Sequence, residues 1–295
     1  MTLLIRRVGG RAVRSLYGLS VTRRLRPRAA VLVYHRVSET TDDPYRQAVL
    51  PETFARHLEM LAEKHPIMPL GTLVDAMPSR DYPDGTVAIT FDDGYADNLL
   101  QAVPLAEEIP LTVFVTVEPV LDGDTYWWDD IAGLEPRRRE ELHDELKGLP
   151  SVERKGRLAT LAPFDGVDRG RPMTPAELHE LAARPGVEIG AHTLSHPCLA
   201  RLTPAEQQRE LTEARTRLET FLGQKVTLAA YPFGKRGDVS GVTEAAARDA
   251  GYRAAFTTMQ WRLVPSSPRY ALPRITVHEW STEALRHRLE SLFSA

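Results

Sequence analysis

Seven apolar runs of strand length recur along the chain, at 29–34, 86–91, 111–116, 187–191, 227–231, 253–257 and 274–277. Each is nearly continuous in apolar character, which suits strands covered on both faces, as in a parallel sheet wrapped by helices. Helical patterns lie between them. Phe54, Leu58 and Leu61 share one face of 53–64, and the pattern over 242–250 stops at Gly251. Thr203-Pro204 with Glu206, and Thr174-Pro175 with Glu177, each place a cap, a first-turn proline and the acidic residue of a capping box. A last helix is expected over 281–292. This alternation implies a parallel α/β architecture, most economically a single barrel-like domain.

At 295 residues the chain has room for one such domain, and its net charge of -3 gives no bulk attraction to nucleic acid. Cys198 is the only cysteine, so no internal disulfide can form, and its place after Pro197 is that of a turn residue. The N-terminus differs in composition. No Asp or Glu precedes Glu39, whereas Arg6, Arg7, Arg11, Arg14, Arg23, Arg24, Arg26 and Arg28 are all basic. Arg6 and Arg7 interrupt the apolar start that a secretory signal needs, and no run has the length of a membrane span. The expected location is cytoplasmic, with peripheral membrane contact open. Residues 1–28 are read as a separate segment, either a basic amphipathic helix on an anionic membrane or a solvated leader. Residues 29–295 make the domain, with a rim insertion at about 118–171, longer than an ordinary connection.

Four short motifs fall at the C-terminal ends of expected strands: Tyr34-His35, Thr90-Phe91-Asp92-Asp93-Gly94, His192-Thr193-Leu194-Ser195-His196-Pro197 and Tyr231-Pro232-Phe233-Gly234. In a parallel barrel these ends share one face, where active sites form. Adjacent carboxylates repel and are costly to desolvate together, so Asp92-Asp93 calls for a nearby cation, although Asp-Asp-Gly alone is equally a solvated turn. His192 and His196 can chelate one ion if the turn between them is helical; an isolated pair at this spacing would be polar loop histidines. With a carboxylate they make a His2Asp set with positions open for water, for which Zn2+ is the default and Co2+, Ni2+ or Mn2+ can serve.

TFDDG (90–94), HTLSHP (192–197) and the Pro-aromatic-Gly of YPFG (231–234) resemble the polysaccharide deacetylases, the NodB-homology group of carbohydrate esterase family 4. The resemblance runs from about Val31 to Val277. It implies a distorted (β/α)7 barrel and a metal-dependent carbohydrate deacetylase acting on a non-peptide C–N bond. By position, Asp92 would be the catalytic base, while Asp93, His192 and His196 would hold the metal. Two departures stand out. Ala230 occupies the position where the commoner pattern has an arginine that steadies the base, and the usual C-terminal strand motif ending in a catalytic histidine is not clear. VLVYHRV (31–37) instead resembles a circularly permuted subset that includes poly-N-acetylglucosamine deacetylases. There the first-strand histidine is the general acid, which implies His35, with His278 as the second candidate. Arg274 is the candidate to supply the guanidinium missing at Ala230.

The expected reaction is removal of an N-acetyl or similar acyl group from an amino sugar or polysaccharide by a water on the cation. The Phe233 backbone N–H is the candidate oxyanion donor. Tyr231, Pro232, Phe233, Trp127, Trp128, Asp129 and Arg274 are the substrate-side candidates, since indole faces stack on sugars and carboxylates take hydroxyl hydrogen bonds. Core packing of a tryptophan is the alternative. Two other functions stay open: a C–N hydrolase for a small amide or nucleotide-linked sugar, and a non-catalytic carbohydrate-binding module.

Overall fold

All six residues of AAVLVY are buried in β1 (Ala29–Tyr34), and their alternate side chains serve two different cores. Ala29 and Val31 pack in one cluster with Leu228, Ala230, Ala254 and Phe256 from the far side of the sheet and with Leu70, Leu73 and Val74 of a short helix (Leu70–Ala76). Ala30, Leu32 and Tyr34 belong to the larger core, with Phe54, Leu58 and Leu61 of the helix Pro51–Lys64 on the outside. This period-two division makes each run apolar throughout.

The computed structural model describes residues 27–40, 42–161 and 170–294. After β1 come β2 (Arg36–Val37), β3 (Ala48–Val49), β4 (Thr86–Phe91), β5 (Leu111–Val115), β6 (Val187–Ala191), β7 (Leu228–Ala230), β8 (Ala254–Phe256) and β9 (Ile275–Thr276). Seven of these form one parallel sheet in the order β8-β7-β6-β5-β4-β1-β9, while β2 and β3 pair separately. Among the described residues the edge strands β8 and β9 do not pair directly; Phe256 of β8 forms a parallel bridge to Leu272, in the segment before β9, so the barrel closes incompletely. The architecture is a distorted (β/α)7 barrel. All seven expected strands form, some a residue shorter at the ends where the chain turns into loops. The small β2–β3 pair was not expected. Two-residue strands leave too short a pattern to recognise.

Both expected capping boxes are present, at Thr174 with Glu177 and at Thr203 with Glu206. The charged stretch over 136–158 forms two helices, Pro136–Leu146 and Ser151–Leu158, because Gly148 and Pro150 interrupt it. These helices cover a third apolar cluster, in which Tyr95, Tyr126, Trp127, Trp128 and Ile131 meet Leu142 and Leu146. Of the basic N-terminal segment, residues 1–26 lie outside the described residues, and with them the expected membrane contact. Among the described residues no helix is long and apolar enough to cross a membrane.

Gly190 in β6 shows how tightly the interior is filled. A Cβ there would stand 2.4 Å from Phe114 Cδ1 and 3.2 Å from the Leu228 carbonyl oxygen. Gly190→Ala is expected to cost about 1–3 kcal/mol by overpacking, read as a lowered urea midpoint. An unchanged midpoint would mean that the Phe114 ring can move aside.

Candidate active site

Parallel register delivers the functional side chains to one end of the barrel. Tyr34 pairs with Phe91, so His35 and Asp92 follow at the same level, and the Asp92 backbone N–H donates to the Tyr34 carbonyl at 3.0 Å. Val115 pairs with Ala191, and the next residue, His192, donates its backbone N–H to Val115 at 2.8 Å. Ala191 also pairs with Ala229, which brings the Ala230 carbonyl to the His192 ring.

Asp92 and Asp93 are each only 1% exposed, yet they meet different partners. Asp92 faces the interior with Thr90 and receives a two-pronged guanidinium. Arg274 donates from Nη1 to Oδ1 and from Nη2 to Oδ2, both at 2.6 Å. Arg274 also donates to Thr90 Oγ1 (3.2 Å) and the Thr257 carbonyl (3.2 Å), and it is fully buried. Burial alone would push the Asp92 carboxyl up, but the charge of Arg274, helped by His192, holds it below its ordinary value. Arg274 thus supplies the guanidinium that pairs with Asp92, and Ala230 is buried in the interior cluster. The burial of Arg274 takes it off the substrate side.

Asp93 adopts φ 71°, a left-handed conformation that Asp tolerates better than most residues, and Gly94 continues the turn at φ 89°. Its Oδ1 lies 3.5 Å from His192 Nε2 and 3.3 Å from His196 Nε2. One donor atom from each of these three residues lies within 4.8 Å of the others, all buried. His192 Nδ1 lies 2.9 Å from the Ala230 carbonyl, to which it donates as the protonated nitrogen, leaving the Nε2 lone pair facing Asp93. Burial lowers the His192 pKa to about 4, so the ring is neutral near pH 7, the form that binds metals. Asp93 is held ionised: burial opposes it, but His196, His35 and His192 bring its pKa to about 2. Neither Asp93 oxygen nor His196 Nδ1 has a hydrogen bond of ordinary geometry. A buried carboxylate without such bonds is costly. Its charge, the two facing imidazoles and their orientation fit a divalent cation.

The link between the two histidines is not the expected helical turn. It is an irregular loop with positive φ at Thr193 (66°) and His196 (62°), held from outside. Glu210 Oε2 accepts the backbone N–H groups of Leu194 (3.0 Å) and Ser195 (2.9 Å), and Oε1 accepts the Ser195 hydroxyl at 2.7 Å. From the rim helix Ser151–Leu158, Arg154 donates to the Ser195 carbonyl (2.6 Å) and hydroxyl (2.9 Å) and to the His196 carbonyl (3.4 Å). Trp127 Nε1 donates to that same His196 carbonyl at 3.3 Å. Sequence reasoning missed both clamp residues, because each sits in a charge-rich helix that reads as a solvated face. With the fold retained, Glu210→Gln is expected to weaken Zn2+ affinity about 10–100-fold, measured by equilibrium dialysis; wild-type affinity would show that the loop holds its shape without the carboxylate.

A cleft of about 540 Å³ opens over the site, lined by His35, Asp92, Trp128, His192, His196, Phe233 and His278 among others. Phe233 sits at φ 61° on its wall. Of the substrate-side candidates, Trp128 and Phe233 line this cleft; Tyr231, Pro232, Trp127, Asp129 and Arg274 do not. Tyr231 is buried and its hydroxyl donates to the Tyr270 carbonyl at 2.9 Å. Trp127 turns toward Arg154, whose guanidinium lies 5.2 Å from the centre of its ring. His143 from the rim insertion also lines the cleft, unanticipated, and burial first of all lowers its pKa to about 4.

Asp129 lies behind the wall, accepting from the Tyr95 hydroxyl at 3.0 Å, which itself accepts from Trp128 Nε1 at 2.8 Å. Burial raises the Asp129 pKa to about 7 against the opposing pull of Tyr95 and Arg36. The folded chain thus binds this proton more tightly than the unfolded one. The resulting stability is complete below about pH 4 and lost as pH rises through 7. Asp129→Asn keeps an acceptor for Tyr95 and removes the charge. Its urea stability is expected to stay flatter between pH 4 and 7 and to exceed wild type at pH 8 by about 1–3 kcal/mol, allowing for partial hydration.

YxkH of Bacillus subtilis (strain 168), a curated protein named for polysaccharide deacetylation, is 23% identical over 251 residues, covering 84% of this chain and 70% of its own length. Deacetylase PplD of Streptococcus pyogenes, solved in complex with acetate, superposes with a TM-score of 0.64 at 19% identity, covering 89% of this chain and 98% of its own. IcaB from Ammonifex degensii superposes with a TM-score of 0.65 at 19% identity, covering 90% and 97% respectively. The polysaccharide deacetylase family profile matches residues 79–255, more than half of the sequence, and spans the carboxylate pair and both histidines. The chain belongs to the polysaccharide deacetylase family.

Proposed function

We propose that this protein is a metal-dependent hydrolase that removes N-acetyl groups from amino-sugar units of a polysaccharide. Polysaccharide deacetylases are enzymes that hydrolyse N-acetyl groups. The observation that carries the finer reading is the pairing of Asp92, forked by Arg274, with a buried Asp93–His192–His196 donor set at the base of one cleft. The acetate in the PplD structure supports acetyl as the group released.

A divalent cation held by Asp93 and by Nε2 of His192 and His196 would supply Lewis acidity, polarising the acyl carbonyl and making water more acidic. Two nitrogens and one oxygen suit Zn2+, with Co2+, Ni2+ or Mn2+ as substitutes. The chain's own residues do the rest. The Arg274 fork uses one lone pair on each Asp92 oxygen, so a second remains on each to take the proton of the attacking water. The fork also fixes the plane of the carboxylate, so the base is oriented before substrate arrives. The Phe233 backbone N–H stabilises the developing oxyanion. His35 gives its proton to the leaving amine nitrogen, and His278, on the same cleft, is the alternate donor. Trp128 and Phe233 present ring faces to the sugar.

Asp92→Asn is expected to keep metal, measured by equilibrium dialysis, and to lose acetate release by about 100-fold or more. His192→Ala is expected to lose both. Undiminished turnover in Asp92→Asn would remove the aspartate from its role as base.

A further inference from the structure

The walls of the cleft carry a charge imbalance that hydrolysis itself does not require. Among the described residues that line it, Asp92 is the only carboxylate, and its charge is matched by the buried Arg274 fork. Arg46 and Lys235 line the same cleft and are both exposed. Neither has an ion-pair partner within 4.0 Å among the described residues. The acidic residues nearest them in sequence are directed elsewhere. Asp43 Oδ2 accepts the Ala48 backbone N–H at 2.7 Å. Asp238 Oδ2 accepts the Lys235 backbone N–H at 3.1 Å, while its Oδ1 accepts from the Cys198 thiol at 3.4 Å.

Arg46 is also held in place. Its backbone sits at φ 55°, a left-handed conformation that a long side chain adopts at a cost, and its N–H donates to the Asp43 carbonyl at 3.1 Å. The Arg46 carbonyl lies 2.9 Å from Nδ1 of His278, itself a cleft residue. The strained turn is thus tied to the wall of the site rather than left as a free loop.

A cleft for a neutral glycan gains most from carboxylates that accept sugar hydroxyls, and among its described residues this one offers none besides the Arg274-paired Asp92. Its remaining polar lining, Gln47, Thr258, Gln260 and Thr276 among it, can serve hydroxyls of either sort of sugar. The unpaired cations favour a negative group instead, since a cleft lined by one sign of charge concentrates ligands of the other.

Building on the deacetylase reading above, we propose that the acylated sugar is part of an anionic glycan, with a carboxylate or phosphate held between Arg46 and Lys235 beside the reacting unit. The test uses the full chain loaded with Zn2+ and three substrates of similar size: N-acetylchitotetraose, a tetrasaccharide alternating N-acetylglucosamine with glucuronate, and an N-acetylglucosaminyl phosphodiester. Acetate release from at least one anionic substrate is expected to exceed that from the neutral one by about tenfold in kcat/KM at low salt. The advantage should shrink as ionic strength rises. Which anionic substrate leads separates carboxylate from phosphate. The double variant Arg46→Glu, Lys235→Glu is expected to reverse the preference.

Equal kcat/KM on all three substrates, or a preference unmoved by the double charge reversal, would overturn the anionic assignment and leave the deacetylase reading standing. A metal-loaded wild type that releases acetate from none of them would overturn the deacetylase reading, and the assignment with it.

Discussion

Two ionised carboxylates stand next to each other in a place where water barely reaches, and the site is organised around keeping both charged. Asp92 is compensated by a guanidinium through two hydrogen bonds. Asp93 is compensated by position, with two imidazole nitrogens directed at one of its oxygens and no ordinary hydrogen bond to either. A buried charge must be paired, or the fold gives it up by protonating it. The different solutions at adjacent residues separate their chemistry. One carboxylate is oriented by the fork, and the other faces two imidazoles in a donor set of the kind that could hold a metal ion.

The framework that allows this is the parallel sheet. Successive strands end at one level, so residues distant in the chain arrive as neighbours without any loop having to reach across. Small residues on the interior face, Ala88, Ala230 and Ala254 among them, leave room for the ring of Phe114 and the buried Arg274 side chain. The rim insertion contributes most of a separate apolar cluster, which Tyr95 joins, while its Val120 belongs to the main core. It reaches the site through Trp128 on the cleft wall and Arg154 behind the histidine loop.

The barrel was legible in the sequence because burial on both faces forces each strand to be apolar along its whole length. The Asp93, His192 and His196 grouping was legible because metal-type donors at strand ends have few other reasons to recur. Arg274 could be suspected from the gap at Ala230, but only coordinates show the fork and the loss of its substrate role. Glu210 and Arg154 were hidden: in a charge-rich helix, a residue turned inward to bind a neighbouring loop has the same letter as one turned to water. The aromatic pair Trp127-Trp128 was half readable. Adjacent residues on a short helix point apart, so Trp128 lines the cleft and Trp127 packs behind the loop.

The residue that pairs with Asp92 arrives late in the chain and beside a short edge strand. Arg274 is separated from Asp92 by 182 positions and precedes a two-residue strand that hydrogen-bonds only to β1. Ile275 and Val277 are buried in the main core, so withdrawing Arg274 needs this seam to open. Each such opening would withdraw the guanidinium and leave Asp92 in a dry environment that favours its neutral form. Closure of the barrel and pairing of the buried Asp92 carboxylate are therefore linked, because one short stretch of chain carries both.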